Sequence, residues 1–130
     1  MEYLRVREHR EHGAIVLTVS GELDVATGPQ LDRELAALAT AGEHRVVLAC
    51  AGLTFCDACG ITVLLRARSR AHDHQGWLRL AAAHPRLRHV LTITALTRVL
   101  LMFDTVADAV AGPNPPAAPT ASSRPAVTAS

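Results

Sequence analysis

Apolar residues recur along this chain with two periods, and the points where one period gives way to the other mark out the elements. Leu4 and Val6 alternate with Arg5 and Arg7, which predicts a one-sided edge strand over Tyr3 to Arg7. After a polar turn at His12 and Gly13, Ala14 to Ser20 places Ile15, Leu17 and Val19 on one face and Ala14, Val16 and Thr18 on the other. Both faces are mostly apolar, as in an interior strand. Gly-Glu-Leu-Asp at Gly21 to Asp24 ends it as a turn. The period then lengthens: Leu31, Leu35 and Leu38 form a helical stripe, Pro29 sits in the first turn, and Thr27 and Gln30 have capping-box spacing. This helix is expected to end near Gly42.

Arg45 to Cys50 reads as a buried strand. Next comes the stretch on which the rest turns, Leu53 to Leu65, reading Leu-Thr-Phe-Cys-Asp-Ala-Cys-Gly-Ile-Thr-Val-Leu-Leu. It predicts a tight loop at Cys56, Asp57 and Ala58, then a helix whose stripe begins at Ile61, Leu64 and Leu65 and reaches about Ala71. Further on, Trp77 to Ala81 predicts a strand, and His84 and Pro85 open a short helix with Leu87, Val90 and Leu91 inward. Arg98 to Phe103 predicts a last strand, and Thr105 or Asp104 caps a final helix carrying Val106, Ala109 and Val110. The order is β-β-α-β-α-β-α-β-α. It implies a single α/β domain whose mixed, mostly parallel sheet of about five strands packs against about four helices.

Composition narrows the function. The 130 residues are 49% hydrophobic and 19% charged, enough for one core. Thirteen basic against twelve acidic residues leave a net charge of +1, without the electrostatic footprint of a nucleic-acid binder. The charged start and the lack of any apolar run of membrane-spanning length read as a cytoplasmic chain with no membrane partner. Five of the seven prolines lie beyond Gly112, where almost nothing large enough to bury remains. Residues 112–130 are therefore expected to be a disordered tail and residues 1–111 the folded domain. Three cysteines argue for free thiols.

Candidate chemistry centres on the helix start after Asp57. Unpaired amides and the positive end of the helix dipole suit an anion, a phosphorylated side chain or a partner's carboxylate. Elsewhere the signals are weaker. Arg66, Arg68 and Arg70 read as a solvated helix face before a recognition patch, and His72 and His74 lack a third metal ligand. His9, His12, His44, His84 and His89 are scattered with no nucleophile paired to them. No phosphate-binding glycine loop occurs, no cofactor is implied, and an enzyme is not expected.

The element order, Gly-Glu-Leu-Asp at Gly21 to Asp24, the Leu53 to Leu65 stretch and the end at Leu100 to Val110 together resemble the STAS domain in its stand-alone form, the anti-sigma factor antagonist. The resemblance covers Met1 to about Ala111. It implies a binding module whose partner is an anti-sigma factor that is also a serine-protein kinase. Binding releases a sigma factor; phosphorylation of a serine at the start of the second helix ends the binding. A phosphate brings about −1.5 to −2 charges into the contact surface. Beside Asp57, and near Asp24 in the family geometry, that charge opposes docking.

The chain departs from this pattern at the switch. Ala58 stands at the phosphoacceptor position and Cys59 at the next, so phosphorylation at Ala58 is chemically excluded. The resemblance still assigns partner binding to Asp24, Asp57, Ala58, Cys59, Gly60 and Thr62, in an antagonist fixed in its binding-competent form. Thr54 and Thr62 are the nearest substitute acceptors, with Thr62 expected to be helical and partly packed. Two other readings accompany it: a scaffold or transporter-associated STAS module, and a thiol switch through Cys56 and Cys59, since Cys-x-x-Cys at a helix start lowers a thiol pKa. Against the thiol switch, Cys56 fills a position expected to be buried. The edge strand near Tyr3 to Arg7 offers a place for weak homodimer pairing.

Overall fold

In the computed structural model, which describes residues 3–112, the chain opens with a hairpin of β1 (Leu4–Glu11) and β2 (Ala14–Leu23). Its two-residue turn, His12 and Gly13, has positive φ at both positions, the primed geometry that matches the twist of the flanking strands. There follow α1 (Gly28–Thr40), β3 (Arg45–Cys56), α2 (Ala58–Asp73), β4 (Trp77–Ala81), α3 (Pro85–Ile93), β5 (Met102–Phe103) and α4 (Val106–Ala111). The five-stranded sheet keeps sequence order, β1-β2-β3-β4-β5, with β1 antiparallel to β2 and all other pairs parallel. This is the α/β class and the element order expected.

Because each crossover advances one strand in the same direction, the crossover helices pile on one face of the sheet. Leu31, Leu35 and Leu38 of α1, Ile61 and Leu64 of α2, and Leu87 and Leu91 of α3 meet Ile15, Leu17, Val46, Leu48, Leu78 and Leu80 there. The opposite face is thinly covered. Val16, Val47 and Ala81 are closed over by Ala109 of α4, with Trp77 and Phe103 alongside.

Several elements differ from expectation, each for a local reason. β3 does not stop at Cys50 but runs to Cys56, and only Asp57 separates it from α2. Its pairing with β2 carries two irregularities, one between Thr18 and Ser20 and one between Gly21 and Glu22, where β3 inserts an extra residue. Each bulge resets the inside–outside alternation, which hides the strand's second half from a period-two reading. β2 likewise continues through Gly21 to Leu23, so the expected turn is strand. The strand expected over Arg98–Phe103 shrinks to Met102–Phe103, because Val99 and Leu100 both donate to the Leu96 carbonyl in a helical turn that sinks Leu100 into the core. A short apolar run fits either conformation. The expected tail, beyond Gly112, lies outside the described residues.

Candidate functional site

The parallel strands β2 and β3 end in register at Leu23 and Cys56, so the residues that follow, Asp24 and Asp57, start out side by side. Asp57 is the N-cap of α2. Its backbone is extended, its Oδ1 accepts from the Gly60 amide at 3.1 Å and its carbonyl from Ile61 at 3.0 Å. Its own amide donates to the Leu23 carbonyl at 3.2 Å, which carries the ladder one step past the strand. A Cβ on Gly60 would lie 2.7 Å from Leu23 Cγ and 2.8 Å from Cys56 Sγ. Only glycine lets the first turn of α2 sit directly on the strand ends.

Ala58 and Cys59 open the helix, exposed, and Thr62 lies one turn on. Thr62 is helical but exposed, not partly packed, and its hydroxyl donates back to the Ala58 carbonyl at 3.0 Å. Thr54 is also exposed, donating to the Gly21 carbonyl at 3.1 Å.

Asp24 follows a different course. It is only 5% exposed, and its Oδ1 accepts from the amides of Ala26 at 2.9 Å and Thr27 at 3.1 Å. The Thr27 hydroxyl donates to the Glu22 carbonyl at 2.6 Å and accepts from the Asp24 amide at 3.0 Å. The expected Thr27–Gln30 capping box is therefore absent: Asp24 closes this turn, and Gln30 instead donates to the Leu4 carbonyl at 3.0 Å. Asp24 shapes the rim from inside, Asp57 is half-buried at the helix start, and Ala58, Cys59 and Thr62 are exposed to solvent.

Two residues that sequence reasoning did not single out stand on this rim. Val25 is 71% exposed beside Asp24, and Phe55 is 43% exposed beside Cys56. Their signal lay in the chain neighbourhood: large apolar residues flanking each aspartate at the strand ends.

The thiols separate sharply. Cys56 is buried, and its pKa is pushed up to about 12, first by burial and then by the negative charge of Asp57. Cys50, fully enclosed, also sits at about 12, chiefly from burial. The expected helix-start lowering does not reach Cys56, which stays a protonated core group at neutral pH; Cys59 is exposed. The arginines of α2 also do not form one patch. Arg66 and Arg70 reach across to Asp32 of α1 at 3.4 and 3.7 Å, whereas Arg68, between them in sequence but on another face of the helix, lines a cavity. His74 stacks on His44 with ring centroids 4.2 Å apart. Among the described residues no group of three or more His, Cys, Asp or Glu side chains could hold a metal ion, and no helix is long and apolar enough to cross a membrane.

The family model of the STAS domain matches residues 3–109, which contain both aspartates and the whole sheet. The chain belongs to the STAS domain family. BtrV of Bordetella bronchiseptica, named as a candidate anti-sigma factor antagonist, is 31% identical over 87 residues, or 67% of this chain and 75% of its own. A crystal structure of an anti-sigma factor antagonist from Mycobacterium paratuberculosis shares the STAS fold with a TM-score of 0.76 at 22% identity, covering 84% of this chain and 92% of its own. The murine anion transporter Slc26a9 contains a similar STAS fold, with a TM-score of 0.66 at 18% identity over 79% of this chain and 18% of the transporter.

Proposed function

We propose that this STAS domain is an anti-sigma factor antagonist. In this reading it binds an anti-sigma factor of the serine-kinase type through the surface around Asp57, Ala58, Cys59 and Thr62, frees the sigma factor that partner holds, and so regulates transcription by binding, not catalysis. Asp24 and Gly60 act from beneath, by fixing the shapes of the two helix starts.

The observation that carries the reading is Ala58. It is the first residue of α2, exposed and directly after the capping aspartate, the position at which a kinase would have to find a hydroxyl. A methyl side chain accepts no phosphate, so the surface keeps its unphosphorylated, binding-competent form. Val25 and Phe55 supply apolar area at the rim, and Asp57 supplies charge that a cationic partner surface would complement.

The test is binding of the purified chain to each candidate anti-sigma kinase of the same genome, with and without ATP. Tight binding that ATP leaves intact is the expected result. The variant Ala58→Ser should accept phosphate from the bound kinase and lose affinity by tenfold or more, the loss expected from burying an unpartnered charge in a contact. Phosphate appearing on Thr62 of the unmodified chain would overturn the fixed state. Failure to bind any such kinase would shift the assignment to a scaffold or transporter-associated module.

A further inference from the structure

At the end of the sheet away from Ala58 lies a cavity of about 730 Å³, within the size range of small-molecule sites. It opens because β5 is short. β5 pairs with β4 only at Leu80 and Ala81, so the leading edge of β4 at Trp77–Arg79 faces Arg98, Val99 and Leu101 across a gap instead of a fifth-strand ladder. Into that gap converge Arg45 from the start of β3, Arg68 from α2, Arg79 from β4 and Arg98 from the turn before β5. Among the described residues no aspartate or glutamate lines the cavity.

This concentration is unusual in a chain whose net charge is only +1. Elsewhere Arg10 pairs with Glu43, and Arg66 and Arg70 pair with Asp32. Arg45, Arg68 and Arg98 make no ion pair among the described residues. Arg79 is different, buried and held in place. Its guanidinium lies 3.9 Å over the Trp77 ring, and its Nη1 donates to the Ala109 carbonyl at 3.0 Å. One anchored arginine, three others without an acidic partner and an apolar wall of Trp77, Val99, Leu101 and Val110 make a concave, one-signed site. Guanidinium forks match phosphate and carboxylate groups in bidentate geometry.

We propose that this cavity is a binding site for a small molecule carrying phosphate or carboxylate groups on an apolar body. It is separate from the proposed partner surface: Arg68 lies ten residues along α2 from Ala58, roughly 15 Å of helix axis. Burial first, and then the like charge of Arg45, hold the Arg79 pKa below its ordinary value, and an anion in the cavity would offset both by pairing with the guanidinium.

The readout is built in. Trp77 is the chain's one tryptophan, so its fluorescence reports on the cavity alone. We would titrate the full chain with inorganic pyrophosphate, phenyl phosphate and citrate at low ionic strength, following Trp77 emission and heat. At least one probe should bind saturably and one to one, and added salt should weaken it. A response to the phosphates alone assigns a phosphorylated ligand; a response to citrate alone assigns a polycarboxylate. Arg45→Gln and Arg98→Gln, both at exposed positions whose loss spares the core, should each weaken binding about tenfold or more, the loss of one charge-assisted hydrogen bond. Arg33→Gln, exposed on α1, should leave it unchanged. Absence of saturable binding by all three probes at millimolar concentration would overturn the site, as would an equal loss in Arg33→Gln.

Discussion

Two aspartates leave neighbouring strands at the same level of the sheet, and the fold uses them in opposite ways. Asp24 turns inward, 5% exposed, and gives its carboxylate to backbone amides of the turn before α1. Asp57 stays half-exposed and uses its carboxylate to cap α2, accepting from the Gly60 amide. The difference follows from what comes next. Val25 to Thr27 give Asp24 an irregular turn whose amides need a buried acceptor, whereas α2 begins at once after Asp57 and satisfies its own backbone from the second turn on. An aspartate in such a motif is thus part of the frame or part of the face according to the length of chain between strand and helix.

The most severe way to break the comparison is Asp24→Ala, which leaves the Ala26 and Thr27 amides without an acceptor in a closed turn. Urea unfolding should show a loss of about 3 kcal/mol, in the range for removing a charged partner from buried donors. A loss as small as that of an ordinary surface substitution would mean the carboxylate is dispensable to the frame. Next is Gly60→Val, which forces a branched side chain against Leu23 and Cys56; a cost of about 2–3 kcal/mol in chemical denaturation is expected from overpacking. It should also displace the start of α2, so the variant's affinity for the partner should fall further than its stability explains.

Asp57→Ala should cost only about 1 kcal/mol, the usual worth of an N-cap, while Asp57→Asn, an equally good cap, should cost almost nothing. If partner binding nonetheless drops in the asparagine variant, the charge and not the cap is what the partner reads. The mildest effect is one of pH. The buried Cys50 and Cys56 thiols titrate at about 12 in the fold against an ordinary 9.0, so folding favours their protonated forms. That contribution is fully present below about pH 9 and drains away as pH climbs toward about 12. A urea-midpoint series across alkaline pH should show the decline, and a Cys50→Ala, Cys56→Ala double variant should flatten it. Native thiol titration at neutral pH should find Cys59 alone reactive.

Most of the frame was legible in the sequence because helix and strand periods alternate cleanly from Ala14 to Ala81. What escaped was wherever regularity fails. The bulges in β3 shift Thr54 and Phe55 out of step with Leu53, so the strand reads from its pattern only as far as Cys50. At the other end, Leu100 anchors a helical turn that a run of Val99, Leu100 and Leu101 could not announce. The sequence marks the junction after Asp57, on which the proposed site is built, as a strand-to-helix joint, but not the different burial of its two aspartates. Whether a carboxylate is buried depends on backbone amides gathered around it, as at Asp24, and no side-chain pattern encodes those. The arginine cavity was hidden for a related reason: Arg45, Arg68, Arg79 and Arg98 lie on separate elements, and only the sheet order brings them together.

The single-residue joint between β3 and α2 has a kinetic consequence. Ordering a backbone residue costs on the order of 1–2 kcal/mol, and a surface assembled from floppy loop would lose part of its binding energy that way at every encounter. Here the strand hands over to the helix through Asp57 alone, so the apposed surface arrives already ordered. Association with a partner should therefore proceed in one step, with no slow rearrangement phase, and the lifetime of the complex should be governed by its rate of escape.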